Sequence, residues 1–114
     1  MLFRSEGCLR LLLPGADEVE IEHWTARIEQ LEVAMTDGIS PLPGALDLLD
    51  ALDQRDVPWT IVTSCTAPLA AMRTRVAGIP HRDTIVTFSD VAQGKPHPEP
   101  FLLGATRIGV APGD

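Results

Sequence analysis

A chain of 114 residues has room for one small domain around a single core. With 45% hydrophobic and 22% charged residues it has the composition of a globular protein, not of a disordered tail. A net charge of −7, with nine basic residues in no run, excludes a nucleic-acid surface, which needs clustered Lys and Arg.

In chain order, Leu9, Leu11, Leu12 and Leu13 read as the end of a helix stopped by Pro14-Gly15. Asp17 stands three residues before Glu20, the spacing of a capping pair. Behind it Ile21, Trp24, Ile28, Leu31 and Met35 recur at helical spacing, so the pattern predicts one helix over about 17–36 ending at Gly38. The glutamates around that stripe read as a solvated face. Pro41-Leu42-Pro43-Gly44 is a rigid connector, followed by a helical face of Ala45, Leu48, Leu49 and Leu52.

Residues 57–63 and 84–88, rich in β-branched side chains, predict two buried parallel strands, with Trp59 in the sheet core. A helix over 67–77, with Pro68 near its start and Gly78 past its end, separates them. A last helix is predicted over 98–108, with Phe101, Leu102, Ala105 and Ile108 inward. Alternating helices and strands argue for an α/β fold with a parallel sheet.

Open parallel sheets bind ligands at the carboxyl ends of their strands. That rule selects Thr63-Ser64-Cys65-Thr66, before a helix N-terminus, where a hydroxyl and backbone N–H groups can hold an anionic oxygen. The other use of such a hydroxyl is to cap that helix. It also selects Gly94-Lys95-Pro96-His97-Pro98, where two prolines stiffen the loop and hold Lys95 in place. A fixed ammonium offsets the charge that gathers in phosphoryl transfer.

The segments Pro41 to Ala45, Pro58 to Ser64 and Gly94 to Phe101 together resemble the haloacid-dehalogenase-like (HAD) superfamily, and closest its sugar-phosphate phosphatase members. The resemblance implies a partial Rossmann-like core over 39–114 and a remnant of a helical cap over 1–38. It implies a phosphatase hydrolysing a small sugar or polyol phosphate through an aspartyl-phosphate, with Mg²⁺ as cofactor. It implies catalytic roles for Thr63 and Lys95. Thr63, Ser64 and Lys95 bind phosphate, and no metal ligand is assigned in this chain.

The sequence departs from that pattern in lacking any Asp-x-Asp-Gly-Thr run, the family's nucleophile motif, and any fourth acidic motif. Met1 to Arg4 match nothing in a cap, and Asp114 comes too early for the acidic motif. The chain reads as an internal fragment, not active by itself, whose cap helix leaves Ile21, Trp24, Ile28 and Leu31 incompletely covered. The alternatives are a phosphosugar mutase of the same superfamily and a non-catalytic binding module. His23, His81 and His97 share no ligand spacing, and Arg10 reads as a surface residue. Cys8 and Cys65 lack metal or redox spacing, which points to reduced thiols in the cytoplasm. No apolar stretch approaches the roughly 18 residues that cross a membrane, and the partner that the resemblance implies is a small phosphorylated substrate.

Overall fold

The computed structural model describes residues 4–113, so Met1 to Phe3 and Asp114, on which part of the fragment reading falls, lie outside it. Its helices are α1 (Arg4–Leu12), α2 (Glu18–Ala34), α3 (Ala45–Gln54), α4 (Ala67–Val76) and α5 (Glu99–Arg107), with a short 3-10 turn at Phe88–Asp90. The radius of gyration is 16.3 Å, against about 13 Å for a compact domain of this length, and the extents are 53 × 33 × 20 Å.

The N-terminal arm is built as its caps dictate. The Leu13 N–H closes the end of α1 on the Leu9 carbonyl, and the chain turns through Pro14-Gly15. At the start of α2 the Glu20 N–H donates to the Asp17 carboxylate at 2.8 Å, and the Asp17 N–H donates back to Glu20 at 3.2 Å. This reciprocal box supplies two of the backbone donors' partners that a helix start lacks. Arg10 joins the two helices, reaching Glu6 and Glu18 at 2.7 Å each. α1 packs against α2, and α2 against α4.

Burial on α2 is uneven. Ile21 is only 1% exposed, which corrects the expectation for that residue, whereas Trp24 and Leu31 are each 46% exposed. The core continues through Leu69, Ala70 and Met72 of α4, then Ala77 and Val86. No residue of α3 is buried, and Leu48, expected on its inner face, is mostly exposed.

The two predicted strands meet in parallel but as a single bridge, Val62 to Val86. The Val86 N–H donates to the Ile61 carbonyl at 2.8 Å and the Thr63 N–H to the Val86 carbonyl at 2.9 Å. The ladder stops there because the next donors are used elsewhere. The Cys65 N–H goes to the Thr63 hydroxyl and the Phe88 N–H to the Cys65 carbonyl. Phe88, expected in a strand, opens the 3-10 turn instead. Among the described residues no extended strand forms, in keeping with the marginal stability of two strands alone.

Trp59 is not in a sheet core. Its indole N–H donates to Asp53 at 2.8 Å, and the Arg82 guanidinium lies 4.3 Å from the ring centroid.

α5 follows the predicted inward face only in part, with Ala105 and Ile108 half-buried. Phe101 and Leu102 are exposed, while Pro100 and Gly104 are buried. Gly104 explains this: a Cβ built there would lie 2.9 Å from Val62 Cγ2 and 3.6 Å from Thr60 Cγ2. The helix therefore touches the bridge through its smallest residue.

Candidate active site

Thr63 leaves the bridge with its backbone N–H fixed on Val86 and its hydroxyl oxygen accepting the Cys65 N–H at 3.1 Å. A hydroxyl that accepts one bond still has its proton to give. Ser64 beside it is exposed. Neither residue caps α4: its N-cap is Thr66, which makes no side-chain capping bond. Both thus stand ahead of the helix start, where free N–H groups favour an anion.

Lys95 comes to the same place from the other loop. Its ammonium donates to the Val62 carbonyl at 2.8 Å, on the residue immediately before Thr63, and lies 5.1 Å from the centroid of the Phe101 ring. Lys95, 32 positions after Thr63 in sequence, thus reaches the backbone next to it. The loop behind Lys95 is tied at several points. The His97 N–H closes a turn on the Gly94 carbonyl, and the Glu99 N–H donates to His97 Nδ1 at 3.1 Å. The Glu99 carboxylate receives the Ala92 and Gln93 N–H groups at 2.9 Å each, and these donors hold it below the usual carboxylate range.

A second carboxylate fixes the far segment. Asp90 accepts from the Thr87 N–H and hydroxyl at 2.8 and 3.0 Å, with Arg107 at 3.3 Å. The Thr87 N–H, then Arg107, hold Asp90 below its ordinary value against the opposing cost of burial. Arg107 also donates to the Ile85 carbonyl, so α5 grips the segment from behind. The sequence reading gives Glu99, Asp90 and Arg107 no role. A Glu one turn after a Gly-Lys-Pro loop, at a helix start, is the one signal that points to the first of them.

Arg73 links the loop to the arm, donating to Cys65 Sγ at 3.3 Å and to Glu32 of α2 at 3.4 Å. A cavity of about 220 Å³ lined by Ile61, Ala70, Ala71, Thr74, Ile85 and Thr87 does not include Lys95, Thr63 or Ser64. Among the described residues no group of three or more His, Cys, Asp or Glu side chains could hold a metal ion. No helix of the described residues is long and apolar enough to cross a membrane.

This chain is 42% identical to hexitol phosphatase A of Escherichia coli over 104 residues, covering 91% of this chain and 48% of that protein. It is 34% identical to a phosphoglycolate phosphatase of Xylella fastidiosa, covering 96% of this chain and 50% of the relative. A crystal structure of a hydrolase from Pseudomonas syringae superposes with a TM-score of 0.78 at 29% identity, over 96% of this chain and 53% of that one. The chain thus spans about half the length of these relatives. The family model for haloacid dehalogenase-like hydrolases matches residues 6–114, from within α1 through α2 to α5 and both loops of the site. With that match over nearly its whole length, the chain belongs to the haloacid dehalogenase-like hydrolases.

Proposed function

We propose that this chain supplies the phosphate-binding half of a phosphatase acting on a small sugar or polyol phosphate. The observation that carries the reading is the Lys95 ammonium on the Val62 carbonyl, one residue from the Thr63 hydroxyl. The likeness to hexitol phosphatase A supports the substrate class.

In this reading the Thr63 hydroxyl and the Ser64 N–H donate to phosphoryl oxygens. Lys95 lets go of the Val62 carbonyl and offsets the charge of the transferring group. Attack on phosphorus through an aspartyl-phosphate needs an in-line carboxylate, which no Asp-x-Asp-Gly-Thr run in this chain provides. The 1–38 segment, in the same reading, is cap and 39–114 is core. The bridge is the start of a Rossmann-like sheet with α4 as its crossover, which the parallel direction of Val62 and Val86 supports. A cytoplasmic setting belongs to the same reading, in keeping with two free cysteines.

The test is a chimera in which this chain replaces the matching half of hexitol phosphatase A. The chimera should hydrolyse a hexitol phosphate, whereas the 114-residue chain alone should not. Lys95→Ala in the chimera should lower kcat by about 10²-fold or more, as when one preorganised charge stabiliser is lost. Undiminished turnover by the Lys95→Ala chimera would remove Lys95 from the site.

A further inference from the structure

We propose that Glu99 is a positioning residue for Lys95, holding the lysine loop in the shape that delivers the ammonium beside Thr63. The proposal rests on the phosphate-binding reading of Lys95 and adds a residue that does not itself meet phosphate.

Lys95 lies on no regular element, since the chain between the 3-10 turn and α5 is loop. Glu99 sits in the first turn of α5 and uses each carboxylate oxygen once, on the Ala92 and Gln93 N–H groups. That fork joins the beginning of the loop to its end, with Lys95 between. The other end of the path is fixed too. α5 rests on Val62 through Gly104, and Lys95 reaches back to the carbonyl of the same Val62. The loop, helix and bridge therefore close a ring, and Glu99 is the side chain that completes it.

Both oxygens matter. A glutamine offers one acceptor and one NH₂ group, which cannot accept the second N–H. An aspartate keeps the charge but is one methylene shorter. Charge and positioning also make opposite forecasts. Removing a negative side chain near a bound anion should by itself tighten anion binding. Loosening the lysine loop should weaken it.

The experiment is an NMR titration of the 114-residue chain with inorganic phosphate, for wild type, Glu99→Gln, Glu99→Asp and Lys95→Ala. Amide exchange at Ala92 and Gln93 and relaxation of the Lys95 side chain are recorded alongside. Both Glu99 variants should speed the two amides' exchange by about tenfold, the loss expected when hydrogen bonds to a charged acceptor go. They should also free the Lys95 side chain and weaken phosphate binding severalfold, while the amides of Leu69 and Val86 stay protected. Tighter or unchanged phosphate binding in Glu99→Gln, or a Lys95 side chain as ordered as in wild type in both variants, would overturn the proposal. Phosphate binding that survives Lys95→Ala would instead overturn the phosphate reading, and Lys95 relaxation would still decide the role of Glu99.

Discussion

The α1–α2 arm and the bridge region with α4 and α5 carry similar apolar patterns and treat them differently. On α2 a stripe of five apolar residues buries one, Ile21, and leaves Trp24 and Leu31 each 46% exposed. Around the bridge Val86 is fully buried and Leu69 is 3% exposed. The arm owes its form to local devices, the Asp17–Glu20 box and the Arg10 contacts. The bridge region owes its form to contacts between residues far apart in sequence. Helical spacing creates an apolar face in both places, but only a partner turns that face into a core.

The sharpest way to break this contrast is to truncate one leucine in each region. Leu69→Ala should cost about 2–5 kcal/mol, as buried Leu truncations do, whereas Leu31→Ala should cost under about 1 kcal/mol because much of that side chain is already in water. Urea unfolding read by circular dichroism measures both, and equal losses would erase the distinction.

Next in size is Gly104→Ala, which adds a methyl 2.9 Å from Val62 Cγ2. It should destabilise by about 1–3 kcal/mol, the range for overpacking, and the Val62 and Val86 amide resonances should shift while those of α1 do not. On the arm, Asp17→Ala should cost about 1 kcal/mol, a typical capping loss. Faster amide exchange should then be confined to the first turn of α2.

The smallest effect is in acid. The folded pKa of Asp90 lies below its ordinary value, so its stabilisation is complete above about pH 4, the unfolded aspartate range. It is lost as pH falls further through the folded value. Between pH 5 and 3, thermal melts of wild type should lose more than melts of Asp90→Asn. Parallel losses in the two proteins would mean that Asp90 contributes nothing to the acid response.

The helices were legible in the sequence because their signals are local. Asp17 with Glu20, Pro14-Gly15 and Pro68 each act within one turn, and each helix forms where they place it. Helix faces were less legible. Phe101 and Leu102 are the larger apolar residues of α5, yet the close approach of Val62 selects Gly104, and nothing within the helix encodes that neighbour. The β-branched runs pointed to two adjacent parallel segments, but pairing beyond Val62 and Val86 competes with the Thr63 hydroxyl for the Cys65 N–H and with the Cys65 carbonyl for the Phe88 N–H. That Lys95 comes back to the end of the first β-branched run was legible from the order of the segments, and the structure places its ammonium on the Val62 carbonyl. The Glu99 fork was not, because it depends on how the eight-residue loop over 91–98 turns.

Arg73 has one guanidinium and two places to spend it, Glu32 on the arm and Cys65 in the Thr63 loop. The two contacts use different nitrogens and coexist, and an anion that moved the guanidinium toward the loop would strain the Glu32 contact. Thermodynamic linkage makes the coupling reciprocal: whatever lifts the arm from α4 leaves the guanidinium freer for the anion by the same free energy. With Arg73 48% and Glu32 33% exposed, that coupling is shallow and falls as salt rises.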